Sequence, residues 1–175
     1  MTVTLTTVTT SPVPVKYPKH TLKLQTPYNP NMPAQCRKLG GIWEATEKAW
    51  YFDPRDSARV GALCLVTYGV DPTAPDPAAL VDVRVHLDEV DFARQQEVWM
   101  FGRRVLYRPE RDKPVYYGDG VIVLAGGCPG SGRSRHNPQV NYLAGTILEV
   151  RDVPRSLLET YSHLPGLCEV VEVHA

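Results

Sequence analysis

The chain has 175 residues, 43% hydrophobic and 22% charged, with 19 Lys and Arg balancing 19 Asp and Glu. That length fits one domain or two small ones. A formal net charge of zero argues against an all-over basic coat for nucleic acid but leaves room for a local basic patch. No run approaches the ~20 apolar residues of a membrane span, and the opening MTVTLTTVTTSPVPV lacks the basic and apolar regions of a signal peptide. A cytoplasmic protein without membrane contact is expected. The four cysteines, Cys36, Cys64, Cys128 and Cys168, form no C-x-x-C pair and no zinc spacing, so reduced and mostly buried thiols are expected.

Residues 1–18 are rich in Thr, Val and Pro. Val3, Leu5 and Val8 suit an edge strand that Pro12, Pro14 and Pro18 end, in an arm that pairs with another strand or stays loose. Residues 19–69 form a first lobe. Leu22 and Leu24 alternate with Lys23 and Gln25, as in a half-buried strand. Asn31 is placed to cap a short helix that carries Gln35 to Leu39, with Pro33 in its first turn and Gly40-Gly41 as its stop. Ile42 to Glu44 and Ala49 to Phe52 read as a hairpin around Ala45 to Lys48. Asp53-Pro54 opens a second helix with Val60, Leu63, Cys64 and Thr67 on one face, ended by Gly69.

Within this lobe the run Cys36-Arg37-Lys38-Leu39-Gly40-Gly41, then Trp43, then Lys48-Ala49-Trp50-Tyr51 resembles a small domain of plasmid and phage primases and other mobile-element proteins. It is more distantly similar to the HARP module of annealing helicases. The resemblance covers residues 20–68 and implies a setting in which DNA is handled. The primase or helicase catalytic domain of such proteins has no counterpart in the chain. The residues themselves leave two roles open for Trp43, Trp50 and Tyr51: a small aromatic core, or a platform for stacked bases with Lys38 and Lys48 near phosphates.

Residues 70–79, VDPTAPDPAA, have the composition of a linker. Residues 80–175 read as a β-rich lobe. Val81, Val83, Val85 and Leu87 alternate with polar residues. Val98 to Phe101 and Val105 to Arg108 flank a turn at Gly102-Arg103-Arg104. Val115 to Tyr117 and Val121 to Leu124 flank Gly118-Asp119-Gly120, a hairpin signal. Asn141 to Leu143 and Thr146 to Val150 flank Ala144-Gly145, Asp152-Val153-Pro154 opens a last helix to about Tyr161, and Val170, Val171 and Val173 offer a closing strand. The fold class expected is α+β: a strand–helix–hairpin–helix lobe followed by a mostly antiparallel β lobe, as a curled sheet or small barrel.

The second lobe contains GGCPGSGRSRHNP, Gly126 to Pro138. Glycine-freed amides at Gly127, Gly130, Ser131, Gly132 and Ser134, with Arg133, Arg135 and His136, suit an anion such as phosphate. Gly127 to Ser134 nearly spells a Walker A loop with Arg133 in place of lysine. Asn137-Pro138 follows where a helix is required, so an NTPase is not expected. A non-hydrolytic phosphate nest and a plain loop without ligand both remain open. From residue 102 to 136 seven Arg and Lys face Glu110, Asp112 and Asp119, interleaved with Tyr107, Tyr116 and Tyr117. Arg103 and Arg104 are therefore candidates for phosphate, against the alternative of a solvated sheet face. Asp88, Glu89 and Asp91 near His86 read as an acidic turn or, less simply, a divalent metal site. Cys128 beside Arg133 and His136 as a general base are the weakest candidates.

The function expected from sequence is a non-enzymatic phage or mobile-element accessory protein, with no cofactor. It would bind nucleic acid or a small nucleotide through the Gly/Arg loop, Arg103 and Arg104, and through Lys48 and Trp50. The alternative is an anti-defence protein that sequesters a nucleotide signal or inhibits a defence protein of a bacterial host.

Overall fold

The computed structural model describes residues 3–9, 12, 19–74, 80–89, 95–129 and 138–171. The chain is α+β and divides into two units, Thr2–Pro77 and Ala78–Ala175. The division falls inside the predicted 70–79 linker, and the described residues of the arm belong to the first unit.

That unit contains β1 (Thr4–Thr7), β2 (Leu22–Gln25), α1 (Met32–Lys38), β3 (Ile42–Glu44), β4 (Ala49–Phe52) and α2 (Ser57–Tyr68). Its sheet has the order β1-β2-β4-β3 with antiparallel pairs. The strand–helix–hairpin–helix order is as expected, and the arm adds an edge strand to β2. Alternation places Leu22, Leu24, Trp50 and Phe52 on one face, where all four are buried, as are Met32, Cys36, Val60, Cys64 and Tyr68 of the two helices. Gly41 is needed where α1 meets this sheet: a Cβ there would lie 2.5 Å from the Phe52 ring and 2.9 Å from the Cys36 carbonyl. On the opposite face Ala49 and Tyr51 are buried, with Val8 and Ile42 packed against them.

Two local details differ from expectation. Asn31 is already in the helical region and makes no side-chain cap. Asn29 does that work instead, its Oδ1 accepting from the Asn31 amide at 2.9 Å and its carbonyl from the Met32 amide at 3.1 Å. A turn one step earlier thus replaces the cap. The buried stripe of α2 is Val60, Gly61, Cys64 and Tyr68, rotated away from Leu63 and Thr67, and the Tyr68 hydroxyl donates to the Pro27 carbonyl at 2.8 Å. The start of this helix is as expected. Asp53 Oδ1 accepts from the Arg55 amide at 3.0 Å, followed by a 3-10 turn at Pro54–Asp56.

The second unit contains β5 (Leu80–His86), β6 (Glu97–Met100), β7 (Arg103–Tyr107), β8 (Tyr116–Tyr117), β9 (Val121–Ala125), β10 (Ile147–Pro154), α3 (Arg155–Leu158) and β11 (Cys168–Val171). Among the described residues these form two open antiparallel sheets, β11-β5-β10-β9 and β6-β7-β8, with no closed barrel. The core runs through Val81, Val83, Val85 and Leu87 of β5 and its extension, with Val98, Leu106, Leu148, Val150 and Val153.

Four sequence expectations are corrected here. β8 and β9 do not form a hairpin: β8 pairs with β7 and β9 with β10. The Gly118-Asp119-Gly120 turn is therefore a crossing between sheets. Gly118 is required because a Cβ there would collide with the Arg104 carbonyl while its amide donates to the Val105 carbonyl at 2.8 Å. The β6–β7 turn is Phe101-Gly102, both with positive φ, which moves Arg103 and Arg104 from the turn into a strand. Residues 141–143 are not a strand. β10 runs on through Val153 and Pro154 after a register shift, with Asp152 at φ +52, so the last helix starts at Arg155 instead of Asp152.

Candidate functional site

The Gly/Arg loop is the first place to look. Of its predicted residues, Gly130, Ser131, Gly132, Arg133, Ser134, Arg135 and His136 lie outside the described residues. Gly127 is described, and its amide is engaged within the chain. It donates to Thr146 Oγ1 at 3.1 Å, while the Gly127 carbonyl accepts from the Leu143 amide at 2.9 Å. That amide is therefore not free for an anion.

The upstream basic cluster is largely internal. Arg103 is 5% exposed. Its guanidinium donates to the carbonyls of Asp119, at 3.4 Å, and Arg151, and burial lowers its pKa from the ordinary value against the opposing pull of Asp152, Asp119 and Asp82. Arg104 donates to Glu97 Oε1 at 2.8 Å and lies 3.6 Å over the Tyr107 ring. Arg108 is fully buried and donates to the carbonyls of Lys113 and Pro129, each at 2.7 Å, and Arg111 at 3.3 Å. Arg111 pairs with Asp112 at 2.7 Å. The expectation that Arg103 meets phosphate is corrected, while Arg104 keeps 34% of its side chain exposed beside its Glu97 partner. Carbonyls of the chain itself occupy Arg103, because five guanidinium donors in a fixed fork satisfy several carbonyls at once.

The weak candidates separate as well. Burial raises the Cys128 thiol pKa, against smaller lowering by Tyr117 and Arg108, the wrong direction for an activated thiolate. Asp88 Oδ2 accepts from the Gly145 amide at 2.6 Å, and His86 Nε2 lies 3.8 Å from Glu169. Asp91 lies outside the described residues, and among those described no three metal-ligating side chains gather.

What the structure does bring together is in the first unit. A groove of about 590 Å³ opens between α1, the segment before it and the β3–β4 hairpin, within the usual range of ligand sites. Trp50 and Lys48, both expected at a site, line it, joined by Tyr28, Arg37 and Trp43. Trp43 and Trp50 are register partners across β3 and β4, with ring centroids 5.3 Å apart and planes tilted by 56°. Trp50 sits on a central strand and is 6% exposed, whereas Trp43, on the edge strand, is 47% exposed. One indole is thus core and the other is surface. Tyr28, within the Asn- and Pro-rich turn before α1, is 69% exposed.

Cations flank these rings. The Arg37 guanidinium lies 5.6 Å from the Trp50 centroid, in range for a cation–π contact. Lys48 is exposed at the hairpin turn with φ +50, a conformation that costs a non-glycine residue about 1 kcal/mol. The turn is braced by Glu47, whose Oε2 accepts from Lys23 Nζ at 2.6 Å and from the Tyr51 hydroxyl at 2.7 Å. Those two bonds, Lys23 first, lower the Glu47 carboxyl pKa, and its amide donates to Glu44 Oε2 at 2.6 Å. Among the described residues, no carboxylate lines the groove.

Tyr28 and Arg37 carried no sequence argument for a site of their own. The signal for Tyr28 was an aromatic in a turn of Asn and Pro, which has no helix or strand face on which to bury. No family model, curated protein or solved structure matches this chain. Among the described residues no helix is long and apolar enough to cross a membrane.

Proposed function

We propose that the first unit binds a phosphate-bearing nucleobase ligand, foremost nucleic acid, in the groove lined by Tyr28, Arg37, Trp43, Lys48 and Trp50, and does not turn it over. The observation that carries this is the half-exposed Trp43 beside a buried Trp50, with Arg37 and Lys48 on the same groove and no acid among the described residues of its lining. An exposed indole offers a π-face to any base, and two cations without a carboxylate between them favour phosphate. The same residues carry the likeness to the small domain of primases and mobile-element proteins, so an accessory role in a phage or mobile element is part of this proposal.

The test is a fluorescence titration of the full chain with a thymidine oligonucleotide and, separately, with mononucleotides. Quenching by the oligonucleotide that weakens as salt rises supports nucleic acid. Quenching by mononucleotides alone favours the sequestration of a nucleotide signal, and no response to either overturns the proposal. The Gly/Arg loop enters as a second binding element. Reversing Arg133 and Arg135 together to Glu is expected to lower oligonucleotide affinity by at least tenfold in the same titration. Unchanged affinity in the folded variant removes the loop from ligand binding.

A further inference from the structure

A second groove, about 640 Å³, runs along the seam of α1 and α2. Asn29 lines both this groove and the aromatic one, so both border the start of α1. The seam is lined by Asn31, Gln35 and Lys38 from α1 and its start, and by Arg59 and Thr67 from α2, and again no carboxylate is among the described residues of the lining. Lys38 is exposed, and Arg59 keeps its side chain 62% exposed while pairing with Asp56 at 2.9 Å. Apolar surface is present too, with Leu63 in the lining and Val66 81% exposed.

Resting on the nucleic-acid reading of the aromatic groove, we infer that the α1–α2 seam is the continuation of that site: a track for the backbone of a single strand whose bases stack at Trp43 and Tyr28. Two cations, three side-chain amides and a hydroxyl along one groove match a run of phosphates and sugars, which are recognised by charge and by polar donors. Helix α1 divides the functions. Arg37 faces the stacking groove, while Gln35 and Lys38 face the seam. A ligand that fills only the aromatic groove does not reach Lys38 or Arg59, and a longer strand does.

The experiment compares a fluorescein-labelled thymidine trinucleotide with a thymidine dodecanucleotide on the full chain, wild type and Lys38→Ala/Arg59→Ala, over a range of salt. Both side chains are exposed and their one ion pair is at the surface, where such pairs contribute little to stability, so the variant is expected to fold, checked by circular dichroism. The expected result is an unchanged trinucleotide affinity and a dodecanucleotide whose salt slope falls by about 1.4, since each phosphate that a cation no longer neutralises takes about 0.7 from the slope. Wild type that binds the two lengths equally, or a variant that weakens both equally, overturns the track alone. An unchanged dodecanucleotide slope also overturns it and leaves Leu63 and Val66 as a protein-facing surface. Wild type that binds neither length overturns the nucleic-acid reading of the aromatic groove itself.

Discussion

Trp43→Ala is expected to weaken binding of a thymidine oligonucleotide roughly 5- to 150-fold while leaving the fold intact. Stacking of a base on an aromatic side chain contributes about 1–3 kcal/mol, which converts to that range. The indole is half exposed on the edge strand of its sheet, so its loss opens no cavity of the kind that makes core truncations costly. Trp50→Ala serves as the contrast. That residue is 6% exposed, in the central strand β4, and its removal is expected to destabilise the first unit by about 3–5 kcal/mol. Trp43→Phe keeps a π-face and should recover most of the affinity. A Trp43→Ala variant that binds as well as wild type would mean that the exposed indole does not stack on the ligand.

The largest stability effect outside the first unit is expected at Arg108. Its fully buried guanidinium holds the carbonyls of Arg111, Lys113 and Pro129, and so ties the 111–113 turn to Pro129 in the first part of the Gly/Arg loop. Arg108→Met keeps the apolar stem and leaves those carbonyls without the guanidinium. Each hydrogen bond from a charged group contributes about 1.5–3 kcal/mol, and relief from burying a charge offsets part of the total. A net loss of about 3–5 kcal/mol is expected, a large part of the ~5–15 kcal/mol typical of a folded protein. Urea unfolding followed by circular dichroism measures it. A midpoint equal to wild type would show that the turn and the segment at Pro129 are held by other interactions.

Residue periodicity and turn chemistry, which act over a few neighbouring residues, made much of the fold legible. The alternation of Val81, Val83, Val85 and Leu87 is the buried face of β5 and its extension. Asp53-Pro54 and Gly69 bracket the second helix as their backbone preferences require. The 49–52 strand and its hairpin partner stand where the KAWY run places them. The β8–β9 crossing was not legible, because a Gly-Asp-Gly turn reads as a hairpin whether or not its two strands share a sheet.

The site divides in the same way. Sequence named Trp50 and Lys48 as candidate site residues and left Trp43, Trp50 and Tyr51 open between core and platform. It could not separate the two indoles, because strand order decides which one an edge leaves in water. Nor could it foresee that Arg103 and Arg108 serve their own chain. A guanidinium looks the same in sequence whether it faces solvent or carbonyls many residues away, as Arg103 does with Arg151. The sequence by itself determined which residues alternate, turn and cap, since those preferences are local. Only the tertiary structure decided which cations and rings remain available to a ligand, since that depends on partners brought together from distant parts of the chain.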